Sequence, residues 1–143
     1  MSRLLVGLAS AVLLAAGGSA GSQAQDAADA GALRARGRGL VVFSERCASC
    51  HGRSGHGDGP AASSLPVRPT DLTRLAEQNG GVFPAAAVTR AIEGADRAHR
   101  GSGMPLWGEV FRADPATPAT AVVKEQIYAL TLYLEFIQRR RPR

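Results

Sequence analysis

Both cysteines of this 143-residue chain fall in one pentapeptide, Cys47-Ala48-Ser49-Cys50-His51. Two thiols three positions apart can each add across one of the two vinyl groups on a porphyrin edge, giving two thioether bonds. The histidine after them is carried under the porphyrin face, where a neutral imidazole nitrogen can bind iron. Cys-x-x-Cys-His is the attachment signature of a c-type haem, and that chemistry uses both cysteines. Other uses of the same residues fit less well. A thioredoxin-like pair wants its cysteines between a strand and a helix of a βαβ unit, and no strand pattern is present. Structural zinc needs four ligands, usually from two paired clusters, whereas the histidines here are His51, His56 and His99 alone. A Cys47–Cys50 disulfide would close a small, strained loop.

The flanks set the compartment and the size of the fold. Arg3 starts an apolar run over residues 4–16, too short for the roughly 20 residues that span a bilayer. Ser22-Gln23-Ala24 has the small-x-small form of a cleavage site. Residues 1–24 therefore read as a secretory signal and residues 25–143 as one domain, with its core at about 32–138. Export to the periplasm suits thioether attachment, and an uncleaved membrane anchor is the alternative. Setting aside Arg3 and the four arginines of residues 139–143 leaves 12 basic against 12 acidic residues, so the body is neutral. The run Arg139, Arg140, Arg141 and Arg143 is either a solvated end or a weak docking point for an acidic partner or anionic headgroups. A nucleic-acid partner is not expected, for no basic stripe is interleaved with aromatics.

The elements that must position the motif read as all-α. Residues 25–31 carry no pattern and are expected as a loose lead-in. From 32 to 46, Leu33, Leu40, Val41 and Phe43 suit one face of a helix. Gly37 and Gly39 lower its propensity by about 1 kcal/mol each, which close approach of a second helix would explain. A Gly-, Ser- and Pro-rich loop covers 52–69. A short helix over 72–78 can be capped by Thr70 or Asp71 and ended by Asn79-Gly80-Gly81. Pro84 suits the first position of a helix reaching Glu93, stopped by Gly94. A loop is expected over 95–116. In the last helix, from Thr117 or Thr120 to about Gln138, Val123, Ile127, Leu130, Leu134 and Ile137 recur at helical spacing. The expectation is four helices joined by long loops that wrap one flat apolar cofactor, and a chain that folds poorly without it.

With those residues in view the chain resembles a class I c-type cytochrome of the small bacterial monohaem kind. Gly39 to Cys47 matches the family's Gly-x-x-x-Phe-x-x-x-Cys approach to the haem motif, and Leu130-Thr131-Leu132-Tyr133 its Leu-x-x-Tyr helix. The resemblance implies that these two helices cross, with glycine allowing contact and the aromatics filling the crossing. Met104-Pro105-Leu106-Trp107-Gly108 resembles the Met-Pro-x-Trp-Gly loop that supplies the second axial ligand. A His51/Met104 pair would raise the reduction potential. His99, water or an open site competes for the Met104 position, whereas His56, five residues past His51 in a tight Gly-rich loop, is poorly placed to reach the opposite face. The resemblance also implies that a carbonyl near Pro66 or Pro69 accepts the hydrogen bond of the ligating histidine, and that Trp107 either meets a haem propionate or packs in the core.

The function expected from this resemblance is one-electron transfer without catalysis. The chain would be a monomeric carrier holding one haem c through Cys47, Cys50, His51 and Met104. It would shuttle electrons between transient redox partners, periplasmic or membrane-bound. The alternatives are a fixed cytochrome subunit of a respiratory or dehydrogenase complex, and a haem enzyme or gas sensor with a displaceable sixth ligand.

Overall fold

The computed structural model describes residues 20–94, 101–116 and 120–138, and among them there is no strand. Six α-helices succeed one another: α1 (Ala20–Arg46), α2 (Ala48–His51), α3 (Leu75–Gln78), α4 (Ala85–Glu93), α5 (Trp107–Ala113) and α6 (Thr120–Phe136). Two 3₁₀ turns, Ala62–Ser64 and Leu72–Arg74, sit in the connection from α2 to α3. The all-α expectation holds. The apolar run of residues 4–16, His99, Thr117 and the arginines of 139–143 lie outside the described residues.

Residues 25–31 are not a loose lead-in. They continue α1, which runs unbroken for 27 residues. Seven alanines between 20 and 35 explain this, since alanine has the highest intrinsic helix propensity. The buried face of α1 also differs from the apolar count. Leu33, Leu40 and Val41 are exposed, while Ala35, Phe43 and Cys47 are buried. Hydrophobicity alone picks large side chains, but this face is built largely from small ones.

The reason is the crossing with α6. A Cβ on Gly39 would run into the carbonyl oxygen of Ala129 and stand 2.8 Å from Cβ of Tyr133, so the two backbones approach as only glycine permits. One turn on, Phe43 packs against Tyr133 with ring centroids 5.2 Å apart. Phe43 and Leu130 are the two largest fully buried side chains. The α6 periodicity is as expected: Val123, Ile127, Leu130 and Leu134 are buried. Gly37 has nothing within 4 Å of an added Cβ, so close approach explains Gly39 and not Gly37.

The other elements close the remaining sides. Asp71, rather than Thr70, caps the Leu72–Arg74 turn, accepting from the Thr73 N–H. In α4, Pro84 occupies the cap and Ala85 the first helical position, and Gly94 ends the helix at φ 83°. Val88 and Ile92 form the buried face of α4. Within the expected 95–116 loop lies α5, a correction. It is seven residues long, opens on Trp-Gly, and has no side-chain cap. Its second residue, Gly108, sits where a Cβ would meet the Glu93 carbonyl at 2.7 Å, so it is held by α4 rather than by its own propensity. At the far end Gln138 ties α6 to the segment after the loop. Its amide donates to the Leu72 and Leu134 carbonyls at 2.7 and 2.6 Å, and its carbonyl accepts from the Ala76 N–H at 2.9 Å.

Two glycine-to-alanine changes two residues apart should have opposite signs. Gly37→Ala is expected to stabilise the protein by about 0.5–1 kcal/mol. Gly39→Ala is expected to destabilise it by about 1–3 kcal/mol or more, because the obstacle is backbone that cannot step aside. Thermal melts followed by far-ultraviolet circular dichroism read both; equal shifts would contradict the crossing.

Candidate functional site

The motif stands on one helical turn. Cys47 N–H donates to the Phe43 carbonyl at 2.9 Å, and the Cys47 carbonyl then accepts from His51 N–H at 2.9 Å. Positions 47, 50 and 51 therefore share a face, as residues three and four apart do on a helix. Neither cysteine is in a disulfide. Burial first, and the neighbouring Cys50 second, push the Cys47 thiol up to about 12. That apolar surrounding suits a neutral sulfur, and a thioether is one that never ionises.

This face lines a cavity of about 440 Å³. Cys47, Cys50 and His51 contribute from the motif, Val88 and Ile92 from α4, Leu130 and Leu134 from α6, and Met104 from the segment before α5. Four separate stretches of chain thus converge on one largely apolar space, and the imidazole and the thioether are both in its wall. Met104 N–H donates to Ser102 Oγ at 3.3 Å, fixing the turn that presents it. At the rim Arg46 pairs with Asp114 at 3.2 Å. That exposed pair is worth less than about 1 kcal/mol.

His51 Nδ1 donates to the Thr70 carbonyl at 3.1 Å. With the proton on Nδ1, the ligating lone pair belongs to Nε2. The acceptor is neither Pro66 nor Pro69. The Pro69 carbonyl is turned against Gly57, whose absent Cβ it would strike, and Gly57 takes φ 74°. The next carbonyl along the chain meets the ring instead. A glycine facing a proline across 12 residues was the available signal, and it needs the fold to be read.

Two further candidates stand at different distances from the cavity. His56 does not line it; its Nδ1 faces Asp71 Oδ1 at 3.5 Å. Trp107 lines the cavity and packs against Phe111 with centroids 5.8 Å apart. Among the described residues no cluster of three or more His, Cys, Asp or Glu side chains could hold a metal ion by itself. The donor set fits a haem: two sulfurs at one edge, an imidazole with its tautomer fixed, a soft thioether and apolar walls.

A family model described as Cytochrome c matches residues 36–137. Comparisons with curated proteins and with solved structures returned no match.

Gly57→Ala should cost stability twice over, through the left-handed backbone and through the Pro69 carbonyl, by about 2–4 kcal/mol in all. A melt within a degree or so of the parent's would show that the Pro69–Gly57 contact does not hold this loop.

Proposed function

Since the chain belongs to the cytochrome c family, whose members hold a covalently bound haem c, we propose that it is a one-electron carrier whose haem is held by four residues of the cavity. Cys47 and Cys50 form the two thioether bonds, His51 binds the iron through Nε2, and Met104 binds it through sulfur. The chemistry that a bound haem c supplies is one-electron exchange at its iron, between ferric and ferrous. The observation that carries the assignment is the meeting of His51 and Met104, 53 positions apart in sequence, in the wall of one apolar cavity that both cysteines also line.

Each residue has a separate task. The two cysteines hold the cofactor irreversibly, so the protein can work at any concentration without losing it. His51, oriented by the Thr70 carbonyl, is held in one tautomer and made more basic. Met104 supplies a neutral, soft donor that favours the ferrous form and raises the potential. Two protein ligands leave no position for a substrate, which fits a carrier rather than a catalyst. Val88, Ile92, Leu130 and Leu134 keep water from the iron and so limit reorganisation around it. Half-buried Cys50 and exposed Val67 lie at the mouth, where a partner can approach the cofactor edge.

The partners in this reading are redox proteins that dock transiently, and the compartment is the periplasm. The support is the apolar run and small-x-small site of residues 1–24, together with the chemistry of haem attachment. No helix among the described residues is long and apolar enough to cross a membrane. The arginines of residues 139–143 add a point of contact for an acidic partner or anionic headgroups.

Ligand substitution checks the assignment. His51→Ala should abolish stable low-spin haem. Met104→Ala should keep haem covalently attached, open the iron to carbon monoxide or cyanide, and lower the potential. A Met104→Ala spectrum identical to the parent's would remove Met104 as ligand. High-spin bands in the resting parent would favour a haem enzyme or sensor instead.

A further inference from the structure

The carbonyl that meets His51 is succeeded directly by an acidic residue whose side chain is engaged in the same turn. Asp71 Oδ1 accepts from Thr73 N–H at 3.0 Å and from Thr73 Oγ1–H at 2.6 Å. Thr73 is 4% exposed and one of only two buried polar residues in the described core. His56 Nδ1 faces the same carboxylate oxygen at 3.5 Å. Backbone bonds close the arrangement: Leu72 N–H donates to the Gly55 carbonyl at 2.7 Å, and Gly57 N–H to the His51 carbonyl at 2.8 Å. The Thr70 peptide is thus clamped between the imidazole on one side and a capped, charged turn on the other.

We propose that Asp71 is a positioning residue for His51: its carboxylate holds the Thr70 carbonyl against Nδ1–H, and its charge lowers the reduction potential of the haem. The inference rests on the reading of His51 as an axial ligand. A carbonyl held in place polarises the N–H it accepts from, and the ring nitrogen on the far side becomes the better donor to ferric iron. A negative charge one peptide away acts in the same direction, because it opposes the arrival of an electron. The Asp71 side chain is 26% exposed, so solvent screening reduces the effect without erasing it. A turn that needed only a cap could use asparagine equally well, since the two residues rank together at that position. The charge is what distinguishes them.

The test separates charge from cap in the mature holoprotein. Asp71→Asn keeps an acceptor for Thr73 and removes the charge. Asp71→Glu keeps the charge and displaces the acceptor. Asp29→Asn, on the exposed half of α1, repeats the change in net charge far from the turn. Redox titration should show the equilibrium constant for reduction rising at least threefold in Asp71→Asn, ~28 mV at 59 mV per decade for a one-electron couple. Its low-spin spectrum should stay parental and its melting temperature within a few degrees. Asp71→Glu should melt lower but keep a potential nearer the parent's than Asp71→Asn does, and Asp29→Asn should match the parent. A potential that follows the melting temperature instead of the charge would overturn the proposal, as would an Asp71→Asn shift no larger than that of Asp29→Asn. If His51→Ala keeps the parental low-spin spectrum, the ligand assignment itself fails, whatever Asp71 does.

Discussion

The close approach of α1 and α6 at Gly39 is the contact on which the remaining geometry rests. It brings the Ala129 carbonyl to where a side chain would be, and so fixes the distance between the two longest helices. Phe43 comes one turn later against Tyr133, and Cys47 one turn after that. The turn that carries Cys47, Cys50 and His51 is therefore an extension of this close crossing, two turns removed from it. Were the helices further apart, Phe43 would lose its partner and the motif would hang from a frayed end. Leu130 and Leu134, one face of the same α6, then become both the floor of the helix crossing and a wall of the cavity.

The opposite wall is made by chain that has little regular structure. Loops of this length need something to pack on, and here they are ordered by a few backbone contacts aimed at the motif. Gly57 donates to the His51 carbonyl and receives the Pro69 carbonyl against its α-carbon, while Thr70 accepts from the His51 ring. Gln138 brings the end of α6 onto the same segment through Leu72 and Ala76. His51, the loop and the terminal helix thus form one hydrogen-bonded unit. For the proposed function the consequence would be stiffness: an axial histidine tied into such a unit would move little when the charge on the iron changes.

Much of this is legible in the residues. The pentapeptide at 47–51 needs no fold to be read, because its chemistry is local. The α6 face is legible because its buried residues are large and evenly spaced, and α4 because Pro84 and Gly94 bracket it. The buried face of α1 is not, since hydrophobicity points to Leu33, Leu40 and Val41, whereas contact at a tight crossing selects Ala35 and Gly39. Residues 25–31 escape a search for periodicity because alanine content, not an apolar stripe, makes them helical. α5 has no cap and a glycine in second place, and only its contact with Glu93 explains it. The acceptor for His51 lies one residue beyond Pro69, at Thr70. Which of two successive carbonyls faces a ring depends on a third element, here Gly57.

The central claim is that the sulfurs of Cys47 and Cys50 bind a haem whose iron His51 and Met104 grip. Mass spectrometry of the tryptic peptide 47–53, from protein matured in a host equipped for cytochrome assembly, tests it most directly. Thioether attachment predicts a peptide carrying one haem and no thiol that iodoacetamide can alkylate. Recovery of the same peptide with two alkylated cysteines, from protein without Soret absorbance, would contradict it.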